Sequence, residues 1–225
     1  MKRTALILII LQILISCSSK SNNVKADAEG TITYKLCYET SEDSNPIIAL
    51  LPTQVEYKFQ NNNILVLSEG YLGFFSTKFI SKFDEPKSSM LFKILNKKMN
   101  YEFGNKEIPF IYNKKLATKI KYLKTDTIIA GYKCKLAKVS IEDIPNPINV
   151  YYTEDIQLKK PNRNTPFNKI DGVLLEFETT MNKFKVKFSA QNVSLAPVNK
   201  DEFIIPSEYV KSDAKTIIKY LSNFK

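Results

Sequence analysis

Between residues 30 and 209 apolar side chains recur mainly at every second position, the period that sets alternate residues on one face of a β-strand. In TITYKLCYE the apolar face is Ile32, Tyr34, Leu36 and Tyr38, and in TQVEYKF it is Val55, Tyr57 and Phe59. Asn61-Asn62-Asn63 breaks the run before ILVLSE, which predicts a hairpin. Residues 71–83, YLGFFSTKFISKF, are aromatic-rich with imperfect alternation, and Asp84 to Ser88 ends them. SMLFKILN and MNYEF predict a strand pair around Asn96, followed by TKIKYLK, by TIIAGYKCKLAKV with a bend at Gly131, and by INVYYT. Residues 155–169 hold Pro161, Asn164 and Pro166 and read as a long loop. Asp171-Gly172 turns into VLLEFET, FKVKFSAQNVSLAPV follows, and FIIPSEY is a closing extended segment.

Two stretches depart from this period. Ser44-Asn45-Pro46 has the form of a helix start and PIIALL runs to Pro52, so a short helix is expected at about 46–51. SDAKTIIKYLSNF has a cap at Ser212 or Asp213 and a stripe of Ile217, Ile218, Leu221 and Phe224, which predicts a C-terminal amphipathic helix at about 212–224. Roughly ten strands with two helices give a mainly β fold: a single curved antiparallel sheet or half-open β-barrel, since a sheet that size curls to bury one face. The first helix is expected to plug or line the concave side.

The N-terminus follows another pattern. Lys2 and Arg3 precede an apolar run from Ala5 to Ile15, broken only by Gln12. As a helix that run covers about 16 Å, against roughly 30 Å of bilayer hydrocarbon. Cations before a short apolar stretch are the layout of a secretory signal peptide. The run ends Leu14-Ile15-Ser16-Cys17, which resembles a bacterial lipobox. That resemblance implies cleavage before Cys17, a diacylglycerol on its thiol and an N-acyl chain on its amine; several chains anchor a protein stably where one does so marginally. A plain signal peptide with an incidental cysteine and a retained membrane helix are the alternatives. The polar run after Cys17 reads as a tether. The expected organisation is a signal peptide at 1–16, a tether at 17–28 and one domain at 29–225. Ser18 stands where an Asp would imply inner-membrane retention, and no acidic export run follows. The implied location is the outer membrane, facing the periplasm.

Composition narrows the chemistry. The chain of 225 residues has no histidine, which removes Ser-His-Asp and Cys-His nucleophile systems and His-based zinc sites. No metal and no cofactor beyond the lipid on Cys17 is expected. The formal charge of +10 falls to +8 without Lys2 and Arg3, and Arg163 is then the sole arginine. Nucleic-acid readers favour the planar arginine fork, so a lysine-coated surface argues against a nucleic-acid partner and leaves room for attraction to anionic lipid.

Two further cysteines remain, Cys37 and Cys134. An oxidising envelope permits a bridge. However, Cys37 shares a face with Thr31, Thr33 and Lys35, whereas Cys134 shares one with Tyr132 and Leu136, so parity favours two free thiols. Tyr151 and Tyr152 straddle a strand, so one of them faces inward. Gly131 and Gly172 read as backbone requirements. Glu176 and Glu178 share a strand face, and a solvated face is the simpler reading than a catalytic carboxylate pair.

TDTIIAGYKCKLAKV (125–139), INVYYTEDI (148–156), NKIDGVLLEFET (168–179) and DEFIIPSEY (201–209) stand in that order. Together they resemble a Bacteroidetes lipoprotein domain of the DUF4412-type, or GLPGLI-like, which is similar in fold to the lipoprotein-localisation carriers and receptors. The resemblance implies a half-open β-barrel with helices across its mouth that holds acyl chains or another apolar ligand. Phe74, Phe75, Phe79 and Phe83 are the candidate lining residues of such a cleft, with ordinary core packing as the simpler role. The expected function is a non-catalytic, membrane-anchored lipoprotein that binds a hydrophobic ligand. The alternative is a structural or interaction lipoprotein of the envelope that binds a protein partner and fills its own core.

Overall fold

The computed structural model describes residues 28–112, 116–142 and 144–222. Its strands are β1 (Glu29–Tyr38), β2 (Gln54–Gln60), β3 (Asn63–Glu69), β4 (Phe75–Ser81), β5 (Lys87–Ile94), β6 (Lys97–Gly104), β7 (Ala117–Ile129), β8 (Tyr132–Ile141), β9 (Ile148–Thr153), β10 (Val173–Met181), β11 (Phe184–Ser194) and β12 (Val210–Lys211). One helix, α1 (Ala214–Ser222), follows. The strands form one open curved sheet in the order β12-β6-β5-β4-β3-β2-β1-β11-β10-β9-β8-β7. Two up-and-down meanders, β1 to β6 and β7 to β11, are joined where β1 pairs with β11. Every neighbouring pair is antiparallel except β12 on β6, which is parallel.

Local sequence explains the turns. Asn61 and Asn62 both have positive φ, 52° and 63°, between β2 and β3, and Ala130 and Gly131, at 49° and 83°, do the same between β7 and β8. Two such residues in succession suit the twist of a two-residue hairpin, and Asn and Gly tolerate that region best. The run 71–83 is not one strand: a 3-10 turn at Tyr71–Gly73 precedes β4, which accounts for its imperfect alternation.

Cross-strand register carries one apolar face through the sheet. Ile32 faces Tyr57, Tyr34 faces Val55, Tyr57 faces Val66, and Val66 faces Phe79. On the other side Leu36 faces Phe188, which faces Phe177. This inner face holds the largest cluster, with Ile32, Phe59 and Leu175 fully buried. The outer face of β3 to β5 is covered too: Leu65, Ile80 and Leu91 lie under Val198 and Phe203, from the stretch that follows β11. Burying each such side chain contributes about 1.5–3 kcal/mol.

The helices differ from expectation in detail. Residues Pro46–Leu50 form a 3-10 helix in which Asn45 caps the Ile47 N–H and Pro46 takes the first turn. Only Ile48 is buried there, so the segment sits beyond the end of β1 and does not plug the concavity. The reason is that another segment already occupies that space. Helix α1 starts from Asp213, whose Oδ1 accepts from the Thr216 N–H at 2.7 Å. It packs through Ile217, Tyr220 and Leu221 on the inner face of β5 and β6, while Ile218 is exposed. Phe224 of the expected stripe lies outside the described residues, as do Cys17, the signal peptide and most of the tether.

Candidate functional site

The concavity is occupied by residues 154–172. They leave the end of β9, cross the inner face and return into β10. Ile156 and Leu158 join the core beside Ile32 and Tyr34, while Phe167 and Ile170 join the cluster on β8 and β9. Tyr57 Oη donates to the Pro161 carbonyl at 3.1 Å, and the Lys159 N–H donates to Asn62 Oδ1 at 2.8 Å. Asn162 closes the strap on itself, its amide donating to the carbonyls of Ile170 and Gly172 at 2.7 and 2.9 Å. On the far side the Ala117 N–H donates to the Pro166 carbonyl at 3.2 Å. The segment therefore ties both meanders together.

Its centre is a buried polar cluster. Arg163 Nε donates to Ser81 Oγ at 2.7 Å and Nη2 to the Ser81 carbonyl at 2.5 Å. Asn164 Nδ2 donates to the Glu107 carbonyl at 2.8 Å, and its Oδ1 lies 3.1 Å from the hydroxyls of both Ser81 and Ser88. Ser88 Oγ is 2.8 Å from Ser81 Oγ. All four residues are buried, and the guanidinium lies 5.7 Å above the Phe83 ring. Among the described residues no carboxylate pairs with Arg163, and its buried Nη1 has no hydrogen-bond partner. Burial lowers its pKa, opposed by Tyr57. A buried cation held by hydroxyls and carbonyls is costly to desolvate.

The four candidate phenylalanines are not brought together. Phe75 and Phe79 lie on the inner face and pack with the cluster on β5 and β6, where Phe79 stacks on Phe103 at 6.2 Å. Phe83 is at the opposite end of the strand, under Arg163 and Lys159. Phe74 is half exposed at a turn. Cys37 is an exposed free thiol and Cys134 a buried one. The parity of their strands puts them on different faces, so the structure contains no Cys37–Cys134 bridge. Burial pushes the Cys134 thiol up to about 11. Glu176 and Glu178 are ion-paired with Lys187 and Lys185 on the neighbouring strand at 3.0 and 3.5 Å, the arrangement of a solvated face. Tyr152 is buried, while Tyr151, half buried, packs against the other cluster.

Among the described residues no group of three or more His, Cys, Asp or Glu is placed to hold a metal ion. One open depression of about 350 Å³ lies beside Tyr101, Glu102, Lys211, Ser212 and Asp213. No described helix is long and apolar enough to cross a membrane. The strap residues Asn162, Arg163 and Asn164 escaped sequence reading because isolated polar residues in a Pro- and Asn-rich run look like a solvated loop. The available signal was Arg163 itself, a single arginine among lysines.

No protein-family model matches the chain, and no curated protein sequence matches it. Among solved structures, PNGF-II superposes with a TM-score of 0.54 at 18% identity, over 88% of this chain and 34% of that one. The lipoprotein LppX of Mycobacterium tuberculosis gives 0.36 at 9% identity, over 77% of this chain and 89% of LppX. A β-barrel-like protein of a domain of unknown function from Brucella abortus gives 0.37 at 8%, over 76% and 99%. This chain spans about a third of the length of PNGF-II, and at such identities the likeness concerns the fold alone. The chain is thus similar to a curled β-sheet body found within a larger protein.

Proposed function

We propose that this chain is a lipid-anchored, non-catalytic interaction module of the cell envelope, tethered through Cys17, with an interior filled by its own strap and a working surface on the outside. The observation that carries the reading is the strap: residues 154–172 put Ile156, Leu158, Phe167 and Ile170 into the space an apolar ligand would take. The lipobox resemblance and the DUF4412-type motifs supply the anchor and the envelope location, with the outer membrane and the periplasm as the proposed site. Intact mass of the mature protein tests the anchor: a species starting at Cys17 with added diacylglycerol and acyl mass is expected, and an unmodified cysteine overturns it. Native mass spectrometry of detergent-free protein tests the filled interior: bare mass is expected, and a stoichiometric apolar adduct overturns it.

One observation favours a second reading, in which the strap gives way to an acyl ligand. Arg163 Nη1 is buried without a partner among the described residues, and a carboxylate or phosphate head would pair with it while its tail lay on the inner face. On this reading fatty acid stabilises the protein against heat and Arg163→Met abolishes that shift; on the first reading neither is seen.

A further inference from the structure

Five large apolar side chains stand in solvent at one end of the sheet: Leu50, Tyr71, Leu72, Phe74 and Leu95, exposed by 45 to 72%. They come from three separate connections, those after β1, β3 and β5, which the antiparallel order brings to the same end. The connections touch one another. The Leu95 N–H donates to the Phe74 carbonyl at 2.8 Å, and the backbone of Gly70 lies against the Leu50 carbonyl. Leu72 and Leu95 have φ of 53° and 52°, the left-handed region that L side chains rarely adopt and that Gly or Asn usually fills. Leucine at such tips contributes little packing here, since both side chains point away from the core.

From this rim we infer that the end formed by Leu50, Tyr71, Leu72, Phe74 and Leu95 docks on a lipid bilayer, its tips entering the interface of uncharged, zwitterionic headgroups. The inference rests on the outward-working, anchored reading above. Three features select this occupant. The apolar groups are protruding turn tips, which suit a deformable interface. Exposed charges beside them are of both signs, Lys97 against Glu42, Asp43 and Glu69, so anionic lipid is not required. Finally, the rim lies at the opposite end of β1 from the tether. The residues from Cys17 to Ala28 can reach about 36–40 Å when extended, and the ten residues of β1 cover about 33 Å. The tether is long enough for the rim to reach the bilayer that would hold Cys17.

The chain contains no tryptophan, so Leu72→Trp, Leu95→Trp and Ile128→Trp each make the full chain a single-tryptophan reporter. Ile128 is as exposed as the rim but lies on the edge strand β7. With phosphatidylcholine vesicles, a blue shift and quenching by acyl-chain bromines are expected at 72 and 95 and not at 128, unchanged by salt. Replacing both rim leucines by Ser weakens vesicle binding by on the order of tenfold per residue. No shift at 72 and 95 overturns the inference, as does an equal shift at 128, which marks adsorption by another segment. A concentration-dependent shift without vesicles also overturns it and assigns the rim to a second copy. An apolar adduct in native mass spectrometry strikes the filled interior and leaves the tryptophan result standing.

Discussion

Tyr34, Tyr38 and Tyr57 carry phenols that burial holds neutral, with pKa values above the ordinary 10; proximity of Tyr57 and Cys134 adds to the rise at Tyr34. Tyr34 Oη donates to the Leu174 carbonyl at 2.5 Å and Tyr38 Oη to the Pro52 carbonyl at 2.7 Å, so the bonded form is the protonated one. In the unfolded chain the Cys134 thiol and these phenols ionise from about pH 9 and 10. Their contribution is complete below those values and is lost as pH rises toward the folded ones. Thermal melts should therefore fall between pH 9 and 12, by up to about 1.4 kcal/mol per pH unit for each group. Tyr57→Phe should flatten the fall, and melts flat across that range would contradict it. The two glycines singled out by sequence differ in kind. A Cβ at Gly172 would collide with the Tyr152 ring and stand 2.7 Å from the Thr153 carbonyl, whereas at Gly131 nothing lies within 4 Å. Gly172→Ala should cost about 1–3 kcal/mol by overpacking. Gly131→Ala should cost about 1 kcal/mol, through its positive φ alone, and urea midpoints separate the two.

At the scale of elements the strap is the decisive segment. Asn164 satisfies the Glu107 carbonyl and the buried hydroxyls of Ser81 and Ser88. Asn164→Ala removes the donor to the Glu107 carbonyl and the acceptor shared by the two hydroxyls, which keep only each other and Arg163, at about 1–3 kcal/mol for each group left unpaired where water cannot reach. The expected outcome is a loss of about 2–4 kcal/mol in urea unfolding and faster trypsin cleavage after Lys159, which is exposed. Unchanged cleavage would show that the strap is held by its apolar residues alone. The strand pattern of β1 was readable because one face is buried and the other is open to water. Residues 154–172 were not, because their order depends on partners 57 to 104 residues away in sequence, such as Glu107, Ser81 and Tyr57. The C-terminal helix was readable in position, yet its buried stripe runs through Tyr220 and not Ile218, since the sheet beneath decides which side faces in.

For the whole molecule the joint between β1 and β11 matters most. The first strand pairs with β2 and with a strand about 150 residues later, so neither meander closes the inner face alone. Long-range pairing must precede its stabilising contacts, and folding should take milliseconds to seconds, as for other sheets of non-local topology. Stopped-flow refolding checks this; a microsecond phase carrying the full amplitude would contradict it. Ending the chain at Lys183 removes β11, with β12, α1 and the cover of the outer face, and exposes one side of β1 and β10. Such a chain should show no cooperative melt.

Sequence by itself determined the class of fold, the hairpin turns, the faces of most strands, the positions of both helical segments and the exclusion of histidine chemistry. These are local properties, set by the period of side chains along an extended backbone and by which residues tolerate positive φ. Tertiary structure alone decided what fills the concavity, where Arg163 finds its partners, why Phe74 is parted from Phe79 and Phe83, and which turns meet in an apolar rim. Those outcomes depend on strand order, and order follows from the summed fit of distant faces that no local pattern encodes.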